Sequence, residues 1–179
     1  MAEENGAAGA AGDQQQQEQR PGLSIAGQYI KDLSFEVPGA PQIFSEMKKA
    51  PEIPISVDVQ ARHLGGNHFE VTTHFDIKAT VEGKPGFVME LVYGAVVQCT
   101  APKEHVQPML LIEAPRLMFP FARNLISEVT RDGGFPPLML QPIDFVQLYR
   151  ERIAAAKAQQ EGEGAQGEKT EGDDGNQTA

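Results

Sequence analysis

Phe69-Glu70-Val71-Thr72-Thr73-His74-Phe75-Asp76-Ile77-Lys78-Ala79-Thr80-Val81-Glu82 alternates from end to end. The odd positions are apolar or β-branched, and the even positions are polar or charged. A period of two is that of a strand with one face on a core and the other in water. Upstream, Ile53, Ile55, Val57, Val59 and Ala61 repeat the pattern against Ser56, Asp58, Gln60 and Arg62. Between the two runs, Gly65-Gly66-Asn67 supplies a turn that tolerates positive φ, so the two strands form a hairpin. Downstream, Glu82-Gly83-Lys84-Pro85-Gly86 makes a second turn. A third strand follows over 87–99, with Phe87, Met89, Leu91, Tyr93, Ala95 and Val97 on its odd face. An earlier strand is predicted at about 28–37, with Leu33, Phe35 and Val37 facing in and Asp32, Ser34 and Glu36 facing out. Four strands joined this way make an antiparallel meander or Greek-key sheet, solvated on one side.

Four prolines (Pro38, Pro41, Pro51 and Pro54) mark an extended crossover loop between the first two strands. Ile43, Phe44 and Met47 make this loop more apolar than a solvated connection requires, and long loops inside a compact domain tend to be functional. The helical signals come last. The spacing predicts a helix over 103–114. A second opens at Pro120, with the stripe Phe121, Leu125, Ile126 and Val129, and stops at Asp132-Gly133-Gly134. A third opens at Pro142, with Phe145, Leu148, Tyr149, Arg152 and Ile153. Strands followed by helices give an α+β domain, its helices packed on one face of the sheet.

Composition sets the boundaries. Residues 1–22 include Gln14-Gln15-Gln16-Gln17 and carry little apolar side chain, and residues 154–179 carry no aliphatic chain beyond alanine. Neither segment can bury enough surface to offset its ordering entropy, so both are expected to be disordered tails around a single folded domain at 23–153. The chain carries a net charge of −10. The N-terminal tail contributes Glu3, Glu4, Asp13 and Glu18 against Arg20. The C-terminal tail contributes Glu161, Glu163, Glu168, Glu171, Asp173 and Asp174 against Lys157 and Lys169. Such a balance argues against nucleic acid, whose phosphates need a basic footprint, and suits basic partners. A single cysteine, Cys99, allows no intramolecular disulfide and fits a reducing compartment. The first residues lack a basic, then apolar, signal-peptide pattern, and no apolar run reaches bilayer length. A cytoplasmic protein that does not insert into membranes is expected.

The sequence carries little chemistry. His63, His68, His74 and His105 include no helical i, i+4 pair and suggest no metal site. Cys99 ends a strand with no basic neighbour, which reads as a small core side chain. Gly65-Gly66 and Gly133-Gly134 lack the strand–Gly-x-Gly–helix setting of a phosphate loop, and Ser127 lacks the glycines of a nucleophile elbow. Glu90 lies in the row Val88, Glu90, Val92, Gly94, Val96, which is unusually apolar for a solvent face. It reads either as a charge protecting that face from aggregation or as part of a partner-binding patch. Surplus apolar surface on the 87–99 strand, on the crossover loop and at Leu110-Leu111-Ile112 fits an oligomer interface.

Tyr29-Ile30-Lys31-Asp32-Leu33-Ser34-Phe35-Glu36-Val37-Pro38-Gly39-Ala40-Pro41 resembles the opening strand and loop of the SecB chaperones. Leu117-Met118-Phe119-Pro120-Phe121-Ala122-Arg123 and Gly134-Phe135-Pro136-Pro137-Leu138-Met139-Leu140-Gln141-Pro142-Ile143-Asp144-Phe145 resemble that family's helical half. The resemblance runs from about residue 28 to residue 152. It implies a SecB-like four-stranded sheet, assembled as a homotetramer (a dimer of dimers) with helices between two outward-facing sheets, and no catalysis, cofactor or metal.

It implies an ATP-independent holdase for unfolded secretory precursors, delivered to the SecA motor. The SecA-contact positions map onto Asp32, Glu36, Val88 and Glu90. The subunit-assembly positions map onto Met89, Leu91 and Tyr93, and a client groove is expected near Ile43, Phe44, Met47, Phe119 and Phe121. The alternatives are a SecB-like chaperone serving a non-export client such as an antitoxin, and a small-molecule-handling oligomeric α+β protein.

Overall fold

A computed structural model describes the backbone of residues 22–167 and the side chains of residues 22–158. Four strands, β1 (Leu23–Glu36), β2 (Ile55–Gly65), β3 (His68–Val81) and β4 (Lys84–Cys99), form one antiparallel sheet in the order β1-β4-β3-β2. Strands β2, β3 and β4 follow one another as hairpins, while β1 returns over the long loop to lie beside β4. This is the Greek-key option of the two expected. Gly65 and Gly66 (φ +130° and +55°) turn the first hairpin.

β1 starts five residues earlier than its alternation predicts. Its register against β4 shifts between Ile25 and Gly27 and again between Ile30 and Asp32. Each shift breaks the period of two, so the pattern hides the first half of the strand. The crossover loop is not wholly extended. It contains a short helix, α1 (Gln42–Glu46), and a bridge in which Glu52 and Thr80 exchange both backbone hydrogen bonds.

The predicted break between the first two main helices is absent. α2 (Lys103–Pro108) runs through a π-helical turn (Met109–Glu113) into α3 (Ala114–Asp132). Pro115 lies in the first turn of α3, and the widened turn before it gives its ring room where a regular helix would clash. Pro120 is therefore inside a helix and does not open one.

The buried stripe of this helical segment falls at every fourth residue: Leu110, Ala114, Met118, Ala122, Ile126 and Thr130. Of the predicted stripe Phe121, Leu125, Ile126 and Val129, only Ile126 belongs to this row; Leu125 and Val129 pack at its edge and Phe121 is exposed. Ala114 and Ala122 are small enough to let the helix backbone approach the sheet, which turns Phe121 outward. Facing them are Val71, Phe75, Ile77, Met89, Leu91 and Val97 of β3 and β4. Thr130 is satisfied inside the core: its hydroxyl donates to the Ile126 carbonyl (2.9 Å) and accepts the Leu138 amide (2.9 Å).

The last helix, α4 (Phe145–Gly167), starts at Asp144 and not at Pro142. The Asp144 carboxylate accepts the Val146 and Gln147 amides, both at 3.0 Å, as an N-cap does. The helix continues past the expected domain end at Ile153. Residues 151–158 are all exposed, and the backbone of 154–167 is helical where a disordered tail is expected from composition. Of the expected N-terminal tail only Gly22 is described, and it is hydrogen-bonded to Thr100. Residues 1–21 and 168–179 lie outside the described residues.

Candidate protein-binding surfaces

Strand register decides which side chains share the outer, helix-free face. Asp32 stands opposite Val92, Ser34 opposite Glu90, and Glu36 opposite Val88. Continuing across the sheet, Glu90 stands opposite Asp76, and His74 opposite Asp58. The four predicted SecA-contact residues, Asp32, Glu36, Val88 and Glu90, thus fall on adjacent rows of two neighbouring strands. Asp32, Glu36 and Glu90 are exposed and Val88 is half-buried.

Asp58 and Asp76 extend this acidic ground toward β2. Asp76 is paired with Lys78 (3.3 Å), and Asp58 has Arg152 at 3.7 Å. Among the described residues, Asp32, Glu36 and Glu90 have no cation within salt-bridge distance. A shallow depression of about 160 Å³ lies between Asp32, Asp58, His74, Asp76 and Glu90. Carboxylates left unpaired across a solvated sheet create a negative field that attracts a basic partner.

Beside this ground, Glu70 on β3 collects three side chains. It accepts hydrogen bonds from Tyr29 (2.6 Å) and Lys31 (2.8 Å) of β1, and from Arg62 of β2 (3.0 and 3.1 Å). Tyr29 reaches it by crossing β4 over Gly94, where a Cβ would sit 2.7 Å from the tyrosine ring. Hydrogen bonds from Lys31, then Tyr29, hold the Glu70 carboxyl down at about 2. Partial burial and the adjoining carboxylate push the Tyr29 phenol up to about 12.

The inner face requires corrections. Met89 (0% exposed) and Leu91 (1%) belong to the core of the single chain, covered by its own helices, so a second subunit cannot touch them directly. Tyr93 is buried too, which raises its phenol pKa, but it borders an open cleft. That cleft, about 520 Å³, is walled by Tyr29, Ile30 and Tyr93 on the sheet and by Phe121 and Leu125 on α3. Apolar surface left open on this side lies on Ile30 (49% exposed), Leu117 (52%) and Phe121 (56%).

The five client-groove residues do not share one surface within the chain. Ile43, at 3% exposure, is core, and the loop helix is anchored by it. Phe44 is exposed and leans on Gly134 and on the Phe135 ring (centroids 5.4 Å apart), and Met47 packs on the core edge. Phe119 sits edge-on to Phe145 at 6.1 Å, on the α4 side, while Phe121 faces the β1 cleft. From Phe119 to Asp132 the helix covers about 20 Å, so the loop, which meets Gly134, lies far from Phe119.

The family model described as preprotein translocase subunit SecB matches residues 16–156. The chain belongs to the SecB family. The protein-export protein SecB of Rhodospirillum rubrum is 56% identical over 143 residues, covering 80% of this chain and 89% of that one. That of Paramagnetospirillum magneticum is 56% identical over 144 residues, covering 80% and 93%. Among solved structures, a SecB-like chaperone of Mycobacterium tuberculosis, in complex with an antitoxin peptide, superposes with a TM-score of 0.58. It is 12% identical and covers 68% of this chain and 90% of that one, a likeness of fold alone.

SecB is a chaperone family, and the recognition from sequence agrees with these matches. The sequence reading missed the acidic extension at Asp58 and Asp76 and the cluster on Glu70. Alternation had placed these residues on the wet face. Strand order, which brings β1 beside β4, was needed to show that Tyr29 and Lys31 reach β3.

Proposed function

We propose that this chain is an ATP-independent holdase of the cytoplasm, keeping secretory precursors unfolded and handing them to SecA. The observation that carries the SecA step is the gathering of Asp32, Glu36 and Glu90, without cationic partners among the described residues, around Val88 on one exposed sheet face. An ion pair at such a surface contributes at most ~1 kcal/mol, so a basic segment of SecA engages several carboxylates together.

The working form is a homotetramer. α3 has two apolar sides: one seals the chain's own core, and Leu117 and Phe121 on the other are exposed beside Ile30. β1 is also an edge strand, 14 residues long, and among the described residues no strand pairs with its free side. A second copy covers both features, and Tyr93 lies at the border of that contact. The client path then runs over surfaces contributed by more than one chain, which is how Phe44 and Met47 come to act with Phe119, and with Phe121 where its ring reaches the rim of that contact. Flexible and aromatic side chains accept many extended sequences without selecting one.

The test is charge reversal. Asp32→Lys combined with Glu90→Lys is expected to abolish SecA affinity and to leave the holding of an unfolded precursor intact. Unchanged SecA affinity would remove the assignment of this face.

A further inference from the structure

Glu70 takes no part in the docking contacts just described, yet two cations that flank the acidic face, Lys31 and Arg62, are tied to it. Lys31 immediately precedes Asp32, and the register shift between Ile30 and Asp32 leaves it without a cross-strand partner. Its ammonium sits 2.8 Å from one Glu70 oxygen. Arg62 lies on β2 four residues beyond Asp58, about 13 Å along an extended strand, and its guanidinium holds the other Glu70 oxygen at 3.0 Å. Both cations remain accessible, with side chains 46% and 70% exposed, whereas that of Glu70 is 8% exposed.

Lys31, Arg62 and Glu70 line a depression of about 430 Å³ that also includes Asp32 and His74. The acidic depression shares Asp32, His74 and Val92 with it, so the two are continuous. A long cationic side chain released from Glu70 therefore swings over ground whose nearest anions are the docking carboxylates.

We propose that Glu70 is a positioning residue for the acidic face, holding Lys31 and Arg62 away from Asp32 and Asp58 so that this face stays negative toward a basic partner. The proposal rests on the reading of that face as a docking surface. Hydrogen bonds from Lys31, then Tyr29, hold the Glu70 carboxyl well below its ordinary range, so it is charged and the restraint is in place at neutral pH. Tyr29 shares the carboxylate without carrying charge, so its hydroxyl is dispensable to this role.

The experiment compares full-length assembled protein as wild type, Glu70→Gln, Tyr29→Phe, and the triple variant Glu70→Gln/Lys31→Gln/Arg62→Gln, with purified SecA as the probe. Glu70→Gln is expected to bind about tenfold more weakly, as freed cations approach the docking carboxylates. Tyr29→Phe is expected to bind as the wild type does. The triple variant, which has lost the whole cluster, is expected to regain wild-type affinity. A purely structural staple gives the opposite order, with the triple variant at least as weak as the single one, and that result overturns the proposal.

A crystal structure of Glu70→Gln supplies a readout that needs no partner. Lys31 or Arg62 is expected within about 4 Å of the Asp32 or Asp58 carboxylate, the range of an ion pair. Both cations remaining at position 70 overturns the proposal, whatever SecA does. A wild-type protein that fails to bind SecA, together with a displaced cation in that crystal, removes the docking reading and leaves the positioning role standing.

Discussion

Glu90 on β4 stands directly opposite Asp76 on β3, two carboxylates in one cross-strand pair on the open face of the sheet. Like charges in this position cost stability, about 0.2–1 kcal/mol. Their presence is consistent with a face kept negative for a partner at the expense of the fold. Glu90→Gln is expected to raise the thermal midpoint slightly while weakening SecA binding, measured by calorimetry and equilibrium binding on one preparation. A variant that lost stability would show that Glu90 serves the sheet itself.

Acid stability gives a second prediction. The Glu70 carboxyl titrates at about 2 in the folded chain against an ordinary 4.5, held down by Lys31 and Tyr29. A depressed carboxyl pKa contributes stability that is complete above the unfolded value and is lost as pH falls toward the folded one. The stability gap between wild type and Glu70→Gln is therefore expected to be largest at neutral pH and to shrink between pH 4.5 and about 2. Urea unfolding at several pH values measures it. A gap that does not change with pH would place the clamp's contribution elsewhere.

Core and interface separate on the inner face. Leu91→Ala removes a fully buried side chain and is expected to cost about 2–5 kcal/mol of protomer stability. Phe121→Asp, on the exposed side of α3, is expected to leave the protomer folded and to split the assembly into smaller species. Light scattering coupled to size exclusion reads the assembly, and circular dichroism reads the fold. An intact tetramer of Phe121→Asp would exclude this side of α3 from assembly.

Fold class and the outer face were legible because alternation over 69–82 and 87–99 fixes both strand identity and facing. Legibility stopped where neighbours in space are not neighbours in sequence. The resemblance maps assembly positions onto Met89 and Leu91, and a period of two, which separates inner from outer but not core from interface, offers no check on that mapping. The stripe Phe121, Leu125, Ile126 and Val129 stands out in the sequence because its side chains are large, whereas the row that packs contains Ala114 and Ala122, whose small side chains let α3 lie close to the sheet. The cap at Asp144 escaped because Pro142 offered a stronger start signal two residues earlier. The break expected before Pro120 is absent because the helix runs on from α2 through the widened turn at Met109–Glu113, which makes room for Pro115, and Pro120 lies inside α3.

The central claim is that this chain holds unfolded precursors without nucleotide. The direct measurement is the refolding rate of a denatured secretory precursor mixed with near-stoichiometric purified protein, with no ATP present. A marked delay is expected, relieved when SecA and membranes are added. Refolding at the unassisted rate would contradict it.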